Sequence, residues 1–459
     1  MEYPRDFRER MTKLLGAEAP DFFAAMEQKP ARSFRFDPRK VSEEQLCQAF
    51  GSDLLGKVPF EEHSYYFSAE HVGNHPLHQG GALYVQEPAA MAPVAALGEE
   101  KVDSVLDLCA APGGKSLQAA RSLLKEGGIL VCNEPNALRR RVLMQNLERC
   151  GQMASVTAFD ACELPSDWTG RFSLVLCDAP CSGEGMMRKN EDSVALWSQR
   201  TVLECAALQE KILESAARVC GAGGTVLYST CTWSLEENEA QIARFLAAHE
   251  EFTLAEAKDS VRQFAVPGSS VAGFDIDLRA ACRFYPHRFR GEGQFFAILK
   301  KAGSPSVGKE AKEKKEKKKR NGESPKERAE EKLVRDFLQS VLISLPSERI
   351  RVQRESVYLV LPDMPQTEET VSPGVLVGEI RKGRIAPHHR FFLAYAPLFS
   401  RKIHLTLEEA MQYLAGAELP CDERDGWAVA LWGECPLGGV KISGGVAKNH
   451  YPKGLRKGL

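Results

Sequence analysis

The sequence lacks any uncharged apolar run of the length that crosses a lipid bilayer, which is about 20 residues. Its first ten residues also lack the apolar core of a secretory signal. We therefore expect a cytoplasmic protein with no membrane partner. The 13 cysteines are expected to be reduced thiols, because the chain is too long and too ordinary in composition to be a disulfide scaffold.

The chain also lacks an excess of positive charge, since its formal net charge is −2. Taken over the whole chain, this balance argues against a nucleic-acid partner. The distribution argues otherwise, because residues 440–459 contain no acid and carry the cations Lys441, Lys448, Lys453, Arg456 and Lys457. Basic stretches on a near-neutral chain can contact phosphate groups, and we expect this tail to do so.

Apolar residues are almost absent from residues 302–331, a run dominated by Lys and Glu. Such a run cannot offset its ordering entropy by burying surface, and we interpret residues 302–332 as a linker. It separates a large N-terminal part from a C-terminal part, residues 333–459. Because a linker has little to pack against, we expect a cut near Asn321 to leave a folded N-terminal part.

Residues 102–300 alternate strand and helix patterns. Strands are predicted at residues 102–108, 128–132, 155–159, 172–177, 225–229 and 295–300, and the longest helix between them at residues 199–220. Ser234 and Glu237 have the spacing of a capping box, which predicts a helix over residues 235–249. This alternation is typical of an α/β fold with a doubly wound, mostly parallel sheet, whose ligands bind beyond the carboxyl ends of the strands.

The first predicted strand runs into a turn with two adjacent glycines, since residues 107–115 are DLCAAPGGK. Glycines let the backbone approach a ligand closely, and the helix that follows presents free N–H groups. The spacing is that of neither a dinucleotide motif nor a P-loop. Glu134 and Asp160 end the next two strands, where they could bind ribose hydroxyls and an adenine amino group. Separately these are a tight turn and two loop acids, but together they describe a nucleoside-shaped pocket.

Cysteines follow the fourth and fifth predicted strands, in CDAPCSGEG at residues 177–185 and STCT at residues 229–232. Few positions lie at that edge of a sheet, so two cysteines there indicate chemistry. Burial as small apolar residues is the alternative, and we apply it to Cys132, Cys150, Cys162, Cys205, Cys220 and Cys282. A zinc site is not expected, because Cys177 and Cys181 lack a matching second pair.

These motifs resemble those of the RNA cytosine-C5 methyltransferases of the Nop2/Sun type, especially the bacterial 16S rRNA enzymes of the RsmF type. DLCAAPGGKS, CDAPCSGEGMMRK and YSTCTWSLEENE are similar to the family's cofactor loop, Pro-Cys motif and Thr-Cys motif. Residues 75–97 and 283–297 resemble two further family segments, and the resemblance covers nearly the whole chain. Residues 32–40 depart from the pattern, with Phe36 and Asp37 where Val and Asn are usual.

The resemblance implies a Rossmann-like enzyme that transfers a methyl group from S-adenosylmethionine to C5 of a cytosine in RNA. It implies that Cys231 attacks C6 of the base, that Cys181 assists product release, and that Asp178 holds the N3 edge. The motifs taken alone leave open which cysteine attacks. The residues implied to surround the cofactor are Cys109, Ala110, Ala111, Pro112, Gly113, Gly114, Lys115, Glu134, Arg139, Asp160 and Asp178.

The resemblance also implies four regions along the chain. These are an RNA-binding extension at residues 1–75, a methyltransferase domain at 76–301, the charged linker at 302–332, and a PUA-like RNA-binding region at 333–459. In the last region we expect His450 and Tyr451 to stack on a base. We expect a monomer that binds 16S rRNA and no metal. The alternatives are the same reaction on transfer RNA, and an RNA-binding ribosome assembly factor without catalysis.

Overall fold

The computed structural model describes residues 3–304 and 325–456. In these two ranges, the helices are all too short or too polar to cross a lipid bilayer. The N-terminal part contains short helices and one small sheet. Its elements are α1 (Arg5–Leu15), α2 (Ala19–Met26), β1 (Ser33–Phe36), α3 (Glu43–Phe50), β2 (Ser64–Tyr66), α4 (Pro76–Gln79), β3 (Leu83–Val85) and α5 (Ala92–Ala95). The antiparallel sheet β2–β1–β3 ends at Val85, so the boundary predicted at residue 75 falls inside it.

The central part is an α/β unit around one large sheet. Its elements are β4 (Val102–Asp107), α6 (Gly114–Ser122), β5 (Leu124–Asn133), α7 (Ala137–Cys150), β6 (Ser155–Thr157), β7 (Phe172–Asp178), α8 (Glu191–Leu196), α9 (Gln199–Val219), β8 (Cys220–Thr230), α10 (Glu239–Ala248), β9 (Phe252–Ala255), α11 (Asp259–Arg262), β10 (Val266–Pro267), β11 (Cys282–Phe284) and β12 (Gln294–Lys301). Strands β8, β7, β4, β5 and β6 are neighbours in that order and pair parallel, while β12 runs antiparallel to β8.

Helices cover both faces of this sheet. Helices α6 and α7 contribute to one apolar core and helices α9 and α10 to another, through Leu117, Leu143 and Leu147 on one side and Ile212, Leu213 and Ile242 on the other. The strands of a parallel sheet are apolar on both faces. The helices that connect them lie on those faces and remove the apolar surface from water. The predicted doubly wound α/β fold is therefore confirmed.

The helix predicted from residue 235 begins instead at Glu239, with Asn238 at its N-cap. Half of the predicted capping box is present, since Ser234 Oγ accepts the Glu237 N–H at 3.4 Å. The Glu237 carboxylate, however, accepts the N–H of Ser182, which follows β7. The capping-box prediction is thus wrong, because a partner distant in sequence takes the carboxylate that the local motif requires.

The C-terminal part contains two further sheets. Its elements are α12 (Pro325–Val341), β13 (Arg349–Gln353), β14 (Ser356–Val360), β15 (Thr370–Ser372), β16 (Val375–Arg381), β17 (Arg384–Pro387), α13 (His389–Tyr395), β18 (Lys402–His404), α14 (Leu407–Ala415), β19 (Leu419–Pro420), β20 (Gly426–Trp432), β21 (Cys435–Ser443) and β22 (Val446–Asn449). The sheet orders are β13–β14–β16–β17 and β18–β20–β21–β22–β19. Helix α12 begins inside the predicted linker, which is therefore wrong for residues 325–332, and residues 305–324 of that linker lie outside the described residues.

The C-terminal part packs closely on the rest of the protein. Strand β15 extends the central sheet by pairing antiparallel with β6. Arg390 of α13 is buried, and its guanidinium donates to the Gln152 carbonyl just after α7, at 3.4 Å. A shared apolar core joins the two ends of the chain through Phe34, Leu77, Leu83, Tyr413, Ala428 and Leu437. The parts on either side of the linker are therefore not packed independently, contrary to the expectation drawn from its composition.

The basic tail differs from the prediction at one of its two aromatic residues. Tyr451 is 2% exposed, its ring packs edge-on against Tyr413, and its hydroxyl donates to Gln79 Oε1 at 2.9 Å. It is a core residue, so the prediction that it stacks on a base is wrong. His450 is exposed beside the ring of Trp427. Lys457 lies outside the described residues.

We predict that cutting the chain at a protease site inserted near residue 312 leaves the two pieces bound to each other. The β6–β15 pairing and the shared apolar core would both be exposed by separation, which is unfavourable. Size-exclusion chromatography with light scattering should give one peak with the mass of the intact chain. Two separate peaks at moderate salt would contradict this expectation, and uncut protein carrying the same insertion is the control.

Candidate active site

The loops after β4, β7 and β8 meet at one edge of the central sheet, because these strands are parallel neighbours. Asp107 ends β4 and Asp178 ends β7, and the pairing places Asp178 opposite Ser229 of β8. The Ser229 hydroxyl donates to Asp178 Oδ1 at 2.7 Å. The edge that the strand pattern identified therefore brings together the glycine turn and both cysteine motifs.

Two thiols face each other at this edge. The Sγ atoms of Cys181 and Cys231 are 3.3 Å apart, and both cysteines are partly buried. The Gly185 N–H donates to the Cys231 carbonyl at 2.8 Å, which fixes the backbone beside the second thiol. The hydrogen bond to Cys231, together with burial, raises the pKa of Cys181 well above its ordinary value. Either of the two thiols can act as the donor in this contact.

Lys115 supplies a positive charge next to the thiols. Its Nζ lies 2.9 Å from Asp178 Oδ2, and the Lys115 side chain is 10% exposed. Burial lowers the pKa of Lys115, but the charge and hydrogen bond of Asp178, with a contribution from Cys231, raise it above its ordinary value overall. A fixed ammonium of this kind stabilises a nearby thiolate. Sequence reasoning grouped Lys115 with the cofactor loop and missed its pairing with Asp178.

The glycine turn is held in place from outside. Gly113 has a φ of +108°, a conformation that favours glycine, and a Cβ on Gly114 would lie 3.3 Å from the Tyr84 ring. Three carbonyl groups of the turn accept hydrogen bonds from side chains outside it. Arg35 donates to the Gly114 carbonyl at 2.8 Å, and Asn146 donates to the Pro112 carbonyl at 2.9 Å. Arg139 donates to the Ala111 carbonyl at 3.0 Å. The turn is thereby fixed without using the N–H groups at the start of α6.

Glu134 presents a buried carboxylate beyond the end of β5. Its residue is 2% exposed, and its Oε1 accepts the Asn136 N–H at 3.0 Å. Its Oε2 has no hydrogen-bond partner among the described residues, although a guanidinium nitrogen of Arg139 lies 3.3 Å away. A buried acceptor with spare capacity needs a donor, and ribose hydroxyls would provide one. The residues present thus fit the sugar of a nucleoside cofactor.

Asp160 lies in the loop after β6, where it is exposed and accepts the Cys162 N–H at 2.9 Å. The loop is organised by Asn133, a fully buried residue that sequence reasoning missed. Its side chain donates to the Leu108 and Phe159 carbonyls at 3.1 and 3.0 Å and accepts the Phe159 N–H. Asn133 therefore ties together the ends of β4, β5 and β6, and its position just before Glu134 was the available signal.

The cysteines interpreted as small apolar residues differ in how deeply they are buried. Cys132, Cys220 and Cys282 are buried, as predicted, and Cys150, Cys162 and Cys205 are partly buried. Within the described ranges, no three His, Cys, Asp or Glu side chains are grouped so as to hold a metal ion.

Asp107 is a second buried carboxylate at this edge. Its Oδ2 accepts the Ser116 hydroxyl at 2.5 Å, which links the end of β4 to helix α6. In the described part of the chain, its Oδ1 is buried without a hydrogen-bond partner. Burial, with a smaller contribution from the charge of Asp178, raises the pKa of Asp107 to about 7.

The parallel sheet, the glycine turn and the paired thiols define a methyltransferase of the Rossmann-like class. Three family models match the chain: "16S rRNA methyltransferase RsmB/F" over residues 94–300, "N-terminal domain of 16S rRNA methyltransferase RsmF" over 3–88, and "Methyltransferase RsmF PUA domain" over 400–457. The chain belongs to the 16S rRNA methyltransferase RsmB/F family, and the models at its two ends match domains of the F type. The resemblance inferred from the motifs is therefore confirmed.

Individual proteins agree with this assignment. The chain is 30% identical to ribosomal RNA small subunit methyltransferase F of Vibrio cholerae serotype O1 (strain M66-2), over 98% of this chain and 97% of that protein. For the protein of the same name from Vibrio parahaemolyticus, identity is 32%, over 91% and 88%. A methyltransferase homolog from Pyrococcus horikoshii is 26% identical, with a TM-score of 0.55 over 65% of this chain and 95% of that one. The structure of NSun6 from the same organism, with SFG, has a TM-score of 0.56 at 20% identity over 66% and 99%, which shows the fold.

We predict that Asp107→Asn removes a pH dependence of stability. Because the folded pKa of Asp107, about 7, lies above its ordinary value of 3.8, the protonated carboxyl stabilises the fold below pH 4, and this is lost as the pH rises to 7. The wild type should therefore lose up to about 4 kcal/mol relative to the variant between pH 4 and pH 8. Urea denaturation of both proteins at pH 4 and pH 8 gives their free energies of unfolding. If the difference between wild type and variant is the same at both pH values, Asp107 is ionised in the folded protein over this whole range.

Proposed function

We propose that this protein methylates C5 of a cytosine in 16S rRNA, with S-adenosylmethionine as the methyl donor. The observation that carries the proposal is the pair of thiols, Cys181 and Cys231, held 3.3 Å apart beside the glycine turn. The similarity to the ribosomal RNA small subunit methyltransferases F of two Vibrio species supports a ribosomal RNA substrate. Reaction on this substrate would take place in the cytoplasm, where ribosomal RNA is made and assembled.

The chemistry explains why a thiol is needed. C5 of cytosine is a poor nucleophile, and a thiolate that adds to C6 converts the ring to an enamine whose C5 can attack an electrophilic methyl group. Covalent catalysis of this kind splits one difficult step into easier ones. We assign the attacking sulfur to Cys231, because it lies in the segment that resembles the family's Thr-Cys motif, which carries the nucleophile.

Addition of the thiolate at C6 places negative charge on the N3 and O2 side of the ring, and N3 takes up a proton as this charge develops. We assign the N3 edge to Asp178, which is 35% exposed on its side chain and can be reached by a base. The ammonium of Lys115, 2.9 Å from Asp178, lies where it can stabilise that charge. Ser229 orients the same carboxylate through its 2.7 Å hydrogen bond.

The cofactor is held by the residues around the glycine turn. When bound, S-adenosylmethionine supplies an electrophilic methyl group. Glu134 would accept hydrogen bonds from the ribose hydroxyls, Arg139 orients Glu134 and the Ala111 carbonyl, and Asp160 would accept from the adenine amino group. Gly113 and Gly114 allow the close approach of the backbone, and the other residues proposed for this pocket are Cys109, Ala110, Pro112, Lys115 and Asp178.

After transfer, the C5 proton must be removed and Cys231 must leave C6. We assign assistance of this release to Cys181, whose Sγ lies 3.3 Å from that of Cys231. The parts outside the central unit, the N-terminal part and the PUA-like part, are proposed to bind RNA. The exposed His450 beside Trp427 remains a candidate for stacking on a base.

We predict that Cys231→Ala lowers methyl transfer by at least about a thousandfold, because the nucleophile is lost. Bisulfite mapping of 16S rRNA tests both this prediction and the identity of the substrate. The chromosomal gene is deleted, and the strain is complemented with either the wild-type or the Cys231→Ala gene. One cytosine should be protected from bisulfite conversion in the strain with the wild-type gene and not in the strain with the variant gene. The purified variant should still bind S-adenosylmethionine, and substantial turnover would exclude Cys231 as the nucleophile. Protection of a transfer RNA cytosine instead would favour the alternative substrate.

We predict that Cys181→Ala forms the covalent adduct but resolves it slowly, because the second thiol is proposed to serve a later step. A protein–RNA species stable to denaturing gel electrophoresis should accumulate with the variant and S-adenosylmethionine. The double variant Cys181→Ala/Cys231→Ala is the control and should give no such species. Normal turnover by Cys181→Ala without an adduct would refute the release role.

A further inference from the structure

Glu237 lies in the loop between β8 and α10, and it is fully buried. The neighbours of both cysteines reach its carboxylate. Ser182, next to Cys181, donates through its N–H at 2.9 Å and its hydroxyl at 2.5 Å. Thr232, next to Cys231, contacts the same carboxylate through its hydroxyl at 3.4 Å. One carboxylate therefore joins the two loops that carry the thiols.

A third element completes this arrangement. Gln209 of α9 donates to Glu237 Oε2 at 2.9 Å and also to the Pro180 carbonyl at 2.9 Å, one residue before Cys181. The backbone carbonyl of Glu237 accepts the Tyr228 hydroxyl at 2.6 Å, which holds the segment against β8. Burial raises the pKa of Glu237 to about 6, so it is largely ionised at neutral pH. An ionised carboxylate makes stronger hydrogen bonds to these donors than a neutral group would.

We infer that Glu237 is a positioning residue that sets the distance between the Cys181 and Cys231 thiols. The effect of Glu237 on catalysis rests on the proposed function. Its effect on the distance between the two sulfur atoms does not. Glu237 touches neither sulfur, and it acts through Ser182 and Thr232. Small displacements matter because Cys181 must reach the sulfur–C6 bond formed by its partner, and catalytic groups lose efficiency when they are displaced by about 1 Å.

The test compares Glu237→Gln with Glu204→Gln, a control on the exposed face of α9 where Glu204 pairs with Arg200. The Glu237→Gln change keeps the size of the side chain but replaces one acceptor oxygen with a donor nitrogen, which cannot accept from Ser182 or Gln209. Its effect is measured in two ways. The first is turnover: kcat should fall about tenfold to a hundredfold while the KM for S-adenosylmethionine stays within about twofold. The control should match the wild type in both quantities.

The second measurement needs neither RNA nor S-adenosylmethionine. Diamide oxidises two neighbouring thiols to a disulfide: both thiols lose a hydrogen, and the N=N bond of diamide is reduced to a hydrazine. Formation of the Cys181–Cys231 disulfide, followed by mass spectrometry, should be about tenfold slower in Glu237→Gln than in the wild type and the control. Because this rate reports on the thiol separation, it tests Glu237 even if Cys231 proves not to be the nucleophile.

The inference is overturned if a folded Glu237→Gln protein, with wild-type circular dichroism, keeps the disulfide rate of the wild type. Slower disulfide formation with a wild-type kcat would instead contradict the catalytic roles proposed for the two thiols. Should Glu237→Gln fail to fold, Ser182→Ala and Gln209→Met decide the question by the same two measurements, since each removes one donor to the carboxylate. Slower disulfide formation in at least one of them supports the inference, and wild-type rates in both overturn it.

Discussion

The parallel pairing of β7 with β8 places Asp178 opposite Ser229, and the site depends on that register. Because both strands end at the same edge of the sheet, the loops that follow bring Cys181 and Cys231 to within 3.3 Å. Side chains alternate between the faces of a strand, so a slip of one residue would turn one of these loops away from the other. The antiparallel strand β12 pairs with the outer side of β8 up to Thr230 and keeps that register.

Buried carboxylates organise the loops around the thiols. Asp107, Glu134 and Glu237 are each at most 2% exposed. Asp107 accepts a hydrogen bond from Ser116 of α6, Glu134 from Asn136 two residues further along, and Glu237 from Ser182 beside Cys181. Burying such groups is costly unless hydrogen bonds compensate for the lost water. Glu237 is well compensated, whereas Asp107 and Glu134 each keep one oxygen without a hydrogen bond among the described residues. The two under-used acids lie at the ends of β4 and β5, on the side of the site that we assign to the cofactor.

The parts at the two ends of the chain are braced against the central sheet. In the N-terminal part, Arg10 donates to Ser234 behind the Cys231 loop at 2.7 Å, and Phe22 packs edge-on against Trp233. Lys40 donates to the Cys150 carbonyl at the end of α7, at 2.9 Å. The C-terminal part adds β15 to the sheet. These contacts fix the orientation of both terminal parts, which are proposed to bind RNA, relative to the thiols.

Periodicity and turn residues in the sequence determined the central fold. The six strands predicted between residues 102 and 300 are all present, because their apolar runs and the glycine turn are local signals. The motifs also located Cys181, Cys231 and Asp178 at one edge. Tertiary structure alone decided which carboxylate serves which loop: the spacing of Ser234 and Glu237 predicted a helix cap, but Glu237 binds Ser182. It also decided that Tyr451 is core and that the linker does not separate independent parts, because burial against distant segments cannot be read from local composition.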